Sequence, residues 1–425
     1  MRDQGDELLA WICAEPADDV PRLIYADYLE EHGAGDYARF IREQIALAQL
    51  PPWHVRRVRV KWRQRKRHKG EAFHGYLPEL KGSGASWTAE PWRRGLPAVL
   101  RVNTLACWEQ VEARLWQRAP IEQIELAAAW TLEQLRDWSR SPLLSTVRSL
   151  VVAGNPIEVL RTLQREPGLP RLESLTLLHC SGAGLSIALE DFLQSPTGQR
   201  LKELHLSVGL PHQVPYVLEA LAAAPSLQAL TLVNMGLLPE HLPTLLQLPA
   251  VQTVQMLDLS VNSLGMSGVY QLLATWPPRL HTLKLVRIDG HSEPLSQRTC
   301  RPDGPSVPPA QPLACLDLSL NSPQRLDFSY LLHQPVCRQV HSLALRGCYE
   351  ALDAVQLVQL PCWPHLVELD LRNNCLDTLR PLRRIRSPLP SKLTAVVVSD
   401  HCLPGRWQSR SPSWQRHWQA VLVKE

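Results

Sequence analysis

The densest group of chemically active side chains is a basic run between positions 56 and 69. It holds nine lysines and arginines, one tryptophan and no acidic residue. Clustered cations bind phosphate groups by releasing counterions, and a tryptophan can stack on a base. The net charge of the whole chain is only +4, so the residues outside this run carry a net charge of −5. Charge is therefore segregated along the sequence. The members of the run are Arg56, Arg57, Arg59, Lys61, Trp62, Arg63, Arg65, Lys66, Arg67 and Lys69.

Three interpretations of this run remain open. It could contact nucleic acid or another anionic surface. It could instead complement residues 1–50, which carry eleven acids against four arginines. It could also be a solvated basic helix that joins two parts of the chain.

Candidate catalytic groups are few. Asp27, Glu30 and Glu31 could act as acids or bases, but without a pocket or a second partner we predict a solvated helix face beside basic neighbours. The sequence has no phosphate-binding glycine loop, no HExxH and no GxSxG. We therefore predict a protein that is not an enzyme and has no cofactor.

Two adjacent His-Cys pairs, at 179–180 and 401–402, lack further partners at metal-ligand spacing. The chain has no CxxC motif, and its ten cysteines are mostly spread singly at predicted inward or turn positions. We predict no metal site and small buried thiols in a reducing compartment, which indicates a cytoplasmic protein.

A phrase of three aliphatic residues and one polar residue recurs about every 26 residues along most of the chain. A clear copy is Leu313, Leu316, Leu318 and Asn321, at relative positions 0, 3, 5 and 8. Two further clear copies begin at Val254 and Leu366, and looser ones begin at Pro97, Ile121, Val147, Leu172, Leu201, Leu227, Leu280, Val340 and Leu393. Position 8 is predicted to bond backbone groups where the chain leaves a strand, with Cys180 and Cys348 as substitutes in two copies. Asn234 lies one residue early and is left out of this set.

Each phrase predicts one short strand, because the second and third aliphatic residues alternate with an outward residue. The stretches between phrases have helical spacing, and a proline a few residues before a phrase is predicted to end each helix. The chain therefore resembles leucine-rich repeat proteins of the helix-containing, ribonuclease-inhibitor-like kind over residues 97–402. The resemblance implies an α/β horseshoe with a parallel sheet on its concave face and mostly helices on its convex face.

The first fifty residues do not follow the repeat. They predict three short helices, 7–14, 19–33 with Asp19 as N-cap, and 36–50, which form a small helical cap. Two stretches resemble a bacterial repeat-companion domain that precedes leucine-rich repeats. They are residues 21–33, PRLIYADYLEEHG, and residues 39–44, RFIREQ. That family mostly has Trp where this chain has Tyr28, and the resemblance implies a bacterial intracellular protein without implying an activity.

Outward strand positions line the predicted concave face and are the candidate binding residues for a protein partner. The Asp-Leu-Ser phrasing at 258–260 and 317–319 is common in such repeats, so those residues could equally serve solubility and backbone hydrogen bonding. We predict a non-catalytic interaction scaffold, with nucleic-acid binding by the basic run as the alternative. The candidates are Glu203, His205, Asp258, Lys284, Asp317, Arg346, Glu368, Asp370 and Arg372.

The predicted organisation has four parts. Residues 1–50 form the helical cap, 51–95 a basic connector, 96–402 about twelve repeats, and 403–425 a C-terminal cap. A proline-rich stretch at 292–312 is predicted to be a surface loop. No apolar run reaches 18 residues, so we predict no membrane span. Residues 1–7 are polar and acidic and are followed only by the short apolar stretch 8–14, so we predict no secretory signal.

Overall fold

The structure is a computed structural model. It describes residues 4–51, 54–58, 60, 71–105, 108–127, 130–154, 156–165, 168–179, 184–207, 211–290, 312–322, 324–348, 354–374, 390–398 and 422–424. The chain divides into two compact units. The N-terminal unit comprises Met1–Pro51 and Arg67–Leu227, and the C-terminal unit comprises Pro52–Lys66 and Gln228–Glu425.

The N-terminal unit begins with the three predicted helices, α1 (Gln4–Ala14), α2 (Val20–Glu31) and α3 (Gly35–Ala48). They share a small apolar core that includes Ile12, Leu29 and Ile41. Asp19 occupies the predicted N-cap position of α2 without a side-chain capping bond. Its carboxylate instead pairs with Arg94 at 3.3 Å, so this charge ties the helices to the repeats that follow.

The segment predicted as connector contains more structure than its sequence suggested. After a 3-10 turn at Glu71–Tyr76, strand β1 (Ala85–Trp87) pairs antiparallel with β4 (Val99–Val102). Strands β2 (Trp92–Arg93) and β3 (Leu96–Pro97) form a hairpin that turns at Arg94 and Gly95. Gly95 has a φ of +83°, and a Cβ there would lie 2.5 Å from the Cα of Ile41. Only glycine fits this close approach of the hairpin to α3.

The repeats of the N-terminal unit alternate strands with helices. Its sheet has the order β1-β4-β5-β6-β7-β8, and every neighbouring pair after β1-β4 is parallel. The remaining strands are β5 (Gln123–Leu126), β6 (Ser149–Ala153), β7 (Ser174–Leu178) and β8 (Glu203–Ser207), and the helices are α4 (Trp108–Leu115), α5 (Leu132–Ser139), α6 (Pro156–Arg165), α7 (Leu185–Gln194) and α8 (Val214–Leu221).

The C-terminal unit repeats the same pattern, with eight parallel strands in chain order. The strands are β9 (Ala229–Leu232), β10 (Met256–Asp258), β11 (Thr282–Lys284), β12 (Cys315–Asp317), β13 (Ser342–Ala344), β14 (Glu368–Asp370), β15 (Ala395–Val398) and β16 (Leu422–Lys424). The helices are α9 (Leu242–Gln247), α10 (Pro249–Thr253), α11 (Gly265–Ala274), α12 (Phe328–Leu332) and α13 (Ala354–Gln359). β16 lies in the predicted C-terminal cap, and the predicted loop at 292–312 lies almost entirely outside the described residues.

The repeating phrase explains the strand register of the C-terminal unit. Leu257, Leu283, Leu316, Leu343 and Leu369 pair in register across β10 to β14, and each is at most 2% exposed. Each leucine thus stacks on its counterpart in the next repeat, on the side of the sheet that the helices cover. The predicted fold class is confirmed: the chain folds as an α/β leucine-rich repeat solenoid.

The polar residue at position 8 bonds backbone groups of two neighbouring repeats, as predicted. Asn321 accepts from the backbone N–H of Ile288 at 2.7 Å and donates to the carbonyls of Leu285 and Leu318 at 2.7 and 2.8 Å. Asn262 and Asn374 repeat this arrangement. The thiol of Cys348 reaches the Leu318 carbonyl at 3.2 Å, so cysteine replaces one of the bonds.

The residue just before position 8 adopts a left-handed backbone, which turns the chain out of the strand. Asn234 has a φ of +54° and occupies this place, which explains why it lay one residue early. Glycine and asparagine suit such a turn, whereas the β-branched Val261 at +59° is strained. The other residues of this column are His179, Arg287, Leu320, Gly347 and Asn373.

The prolines before the strands follow the ends of helices, as predicted, and they also begin the next turn: α5 ends at Ser139 before Pro142, and α12 ends at Leu332 before Pro335. Pro142 and Pro335 begin 3-10 turns, and Pro249 begins α10. A missing N–H has no cost in a first helical turn, because that group has no partner there. The strands begin several residues later, so the prolines stay out of the sheet as expected.

Within the described part of the chain, no helix combines the length and apolar character that crossing a bilayer requires.

Candidate functional site

We call the side of the C-terminal unit's sheet that faces away from the leucines its open face. Side chains on this face alternate with the buried leucines along each strand. Register places them in two rows across the strands. The first row is Thr231, Asp258, Lys284, Asp317, Ala344, Asp370 and Val397, and the second is Ala229, Met256, Thr282, Cys315, Ser342, Glu368 and Ala395.

The structure brings four of the predicted binding residues into the first row. Lys284 stands between Asp258 and Asp317, and its Nζ lies 3.4 Å from the Asp258 carboxylate. The side chain of Lys284 is 41% exposed, so its ammonium group remains open to solvent. This part of the row therefore alternates negative, positive and negative charge, with Asp258 buried and with Lys284 and Asp317 half-buried.

The aspartates of this row also hold the chain's own backbone. One carboxylate oxygen accepts an N–H two residues ahead in each case, at 3.0 Å for Asp258 and Asp317 and at 3.1 Å for Asp370. Buried Ser260 and Ser319 accept from the next strand, through the N–H groups of Val286 and Arg346. Backbone hydrogen bonding is thus a demonstrated role of the Asp-Leu-Ser phrase.

Arg372 is held by a carboxylate of the same turn. Its Nε lies 2.9 Å from one oxygen of Asp370 and its terminal nitrogen 2.6 Å from the other. These hydrogen bonds raise the pKa of Arg372. Because the guanidinium is turned back along its own strand, it is a poorer candidate for contact with a partner than Lys284.

The remaining candidates are more scattered. Arg346 is half-buried in the turn after β13, and Glu368 is buried in the second row, where it accepts from Ser342 Oγ at 3.1 Å. Glu203 is exposed and His205 half-buried, and both lie on β8 of the N-terminal unit.

A further charged row in the N-terminal unit was not anticipated. Arg148 lies 3.1 Å and Lys202 2.9 Å from Glu173, each at the start of a successive strand. Partial burial alone would raise the pKa of Glu173, but the hydrogen bond from Lys202 and the charge of Arg148 bring it below its ordinary value. The sequence contained this row, because Arg148, Glu173 and Lys202 each directly follow the first aliphatic residue of their phrase.

Of the basic run, the structure describes only Arg56, Arg57 and the intervening valines up to Val60. Arg56 is exposed and Arg57 half-buried. The predicted residues Arg59, Lys61, Trp62, Arg63, Arg65, Lys66, Arg67 and Lys69 lie outside the described residues, so their predicted role remains a prediction.

An apolar patch at the end of the open face also escaped the sequence analysis. Ala395 and Val397 point outward from β15 beside Val367, and Val58 of the basic run packs on all three. The signal was the run Ala-Val-Val-Val at 395–398, which is apolar at both alternating positions. An outward position at a solvent-facing sheet is normally polar.

The remaining residues that could have had catalytic or metal-binding roles have structural roles instead. Arg42 pairs with Asp27 at 2.6 Å and with Glu30 at 2.7 Å on an exposed helix face, as predicted. The thiols of Cys348 and Cys362 are buried, and burial raises their pKa to about 11 and about 12. The described residues contain no group of three or more His, Cys, Asp or Glu side chains arranged to hold a metal ion.

Comparison with known proteins gives matches among solved structures only. No family model matches the chain. No curated protein matches it either. A structure of the leucine-rich repeat-containing protein LegL7 from Legionella pneumophila matches 71% of this chain and 89% of its own length, with 19% identity and a TM-score of 0.43. A structure of a TLR13–ssRNA13 complex matches 77% of this chain and 38% of its own length, with 16% identity and a TM-score of 0.33.

Proposed function

We propose that the chain is a non-catalytic interaction scaffold that binds a protein partner on the open face of its C-terminal unit. The observation that supports this proposal is the alternating row of Asp258, Lys284 and Asp317. The strands hold it in register, and the Lys284 ammonium group remains accessible. Charges fixed in this way select a partner with complementary charges and increase its rate of association.

Site-specific photo-crosslinking tests this proposal. A photoreactive amino acid at Ala344, a half-buried position of the same row, samples the open face without removing its charges. The same amino acid at Thr244, an exposed position of α9, samples the helical side of the same unit. We expect covalent adducts with a discrete protein from position 344 and none from position 244. Adducts from position 244 alone would contradict the proposed binding face.

The alternative is nucleic-acid binding by the basic run, which its nine positive charges support. Fluorescence anisotropy with a labelled single-stranded RNA tests it. Affinity should fall steeply between about 50 and about 200 mM salt. It should also fall by about tenfold or more when Arg63, Arg65, Lys66 and Arg67 are replaced by alanine. Binding that persists in this variant, or no binding at low salt, would exclude the basic run.

We also propose a bacterial, cytoplasmic setting for the protein, with residues 1–50 as a repeat-companion domain. The resemblance of residues 21–33 supports the first part, and the cysteines support the second. Among the described cysteines, Cys13, Cys315, Cys337, Cys348 and Cys362 form no disulfide, and the last three are buried. Cysteines that stay reduced are typical of proteins that fold in a reducing compartment.

A further inference from the structure

The basic run places a helical segment directly on the open face. The described residues 55–58 and 60 are helical, and the Val58 N–H donates to the His54 carbonyl at 3.0 Å. Val58 is only 1% exposed, because it packs on Val367, Ala395 and Val397. Val55, one helical turn earlier, packs against the same patch.

The surface beneath this segment combines an apolar floor with an acidic border. Glu368 and Asp370 on β14 are the register partners of Ala395 and Val397 on β15. The segment itself combines a valine stripe with arginines at positions 56 and 57. Apolar side chains therefore meet apolar side chains in this contact, while the segment carries positive charge and the strand beside the floor carries carboxylates.

The segment depends on this surface for its helical conformation. Valine is a weak helix former, so Val55 and Val58 contribute little to the helix through their intrinsic propensity. Their contribution to the order of the segment comes instead from their packing on the sheet. A contact of so few side chains can exchange with a competing helix of similar chemistry.

We propose that this end of the open face is a binding site for a short, basic, amphipathic helix of another protein. The chain's own Val55 and Val58 occupy it as an internal competitor. The partner would present two apolar residues one helical turn apart, with basic residues beside them. This inference rests on the proposed protein-binding role of the open face, and it specifies where on that face the partner binds.

A peptide with the chain's own sequence from Trp53 to Lys61 is the appropriate probe. Its affinity is measured by fluorescence anisotropy for the full-length chain and for the variant Val58→Asp, whose aspartate cannot remain in the apolar contact. The tethered segment competes at high effective concentration in the original chain, so we expect about tenfold or greater gain in peptide affinity for the variant.

Two matched controls define the site. Adding Val397→Asp to the Val58→Asp variant should abolish the gain, because it removes the floor of the site. A peptide with glutamate in place of Arg56 and Arg57 should bind the Val58→Asp variant less tightly, since its charges repel Glu368 and Asp370. A gain that survives both changes would place the peptide elsewhere and overturn the proposal.

The milder variant Val58→Ala guards against misfolding of Val58→Asp, and circular dichroism checks that each variant is folded. If neither variant binds the peptide more tightly than the original chain, the proposal is wrong. Crosslinking from position 344 distinguishes this failure from failure of the proposed function. Adducts at 344 without peptide binding would overturn the helix site alone, and the absence of both would overturn the protein-binding role as well.

Discussion

Asn262, Asn321 and Asn374 each satisfy backbone groups of two neighbouring repeats. Their position in the sequence was sufficient to predict this role, because a polar residue that follows an aliphatic strand has few other buried functions. The left-handed residue before each asparagine was missed. Nothing in the identity of Val261 or Leu320 indicates a positive φ, since the conformation is imposed by the turn and not by the side chain.

Replacing Asn321 by alanine should destabilise the protein by about 3 kcal/mol, because it leaves the buried backbone groups of Ile288, Leu285 and Leu318 without partners. Urea denaturation measures the change. Asn321→Cys is the matched comparison and should retain part of the stability, since Cys348 makes one such bond in a neighbouring repeat. An alanine variant as stable as the original chain would contradict the role of the asparagine.

Val261→Asn should stabilise the protein by about 1 kcal/mol, because asparagine adopts the left-handed backbone at lower cost than a β-branched residue. Val261 is 37% exposed, so the change removes little buried apolar surface. The reverse substitution, Asn234→Val, should destabilise by a similar amount at the equivalent position of the preceding repeat. Thermal unfolding of both variants measures the difference, and shifts in the same direction would exclude backbone strain as the cause.

At the scale of elements, the helices α1 to α3 are fixed to the first repeats by a buried charge network. Arg22 is fully buried and lies 3.0 Å from Glu122, and Arg94 bridges Glu122 and Asp19. Burial, together with the nearby charge of Arg94, lowers the pKa of Arg22 to about 10. The helices could be predicted from local spacing, but this network joins residues a hundred positions apart. No local pattern carries that information.

Glu122→Ala should destabilise the N-terminal unit by about 3 kcal/mol, because it leaves the buried guanidinium of Arg22 without its carboxylate. Urea denaturation followed by tryptophan fluorescence measures the effect. The matched control is Arg39→Ala, which breaks the solvent-exposed pair with Asp36 and should cost little. Equal losses in the two variants would mean that the buried network contributes no more than a surface pair.

For the molecule as a whole, the repeat period predicted the fold, because each repeat needs its neighbours to bury its leucines. Segments outside the period were predicted less well. Strand β1, the hairpin β2–β3 and the packing of Val58 on β15 all depend on contacts distant in sequence. The candidate site was predicted in part for the same reason. The register of the repeats was sufficient to predict that Lys284 lies on the open face. The apolar patch could not be assigned a role from the sequence, because its contact with Val58 joins residues that are distant in the chain.

The oxidation state of the ten cysteines tests the proposed cytoplasmic setting for the entire chain. Burial raises the pKa of Cys337, Cys348 and Cys362, so these thiols carry almost no thiolate near neutral pH and should react slowly with a disulfide reagent in the folded protein. After unfolding in guanidinium without reductant, all ten should react. A reduced aliquot gives the reference value. A lower count in the untreated sample would reveal disulfides and would place the protein in an oxidising compartment instead.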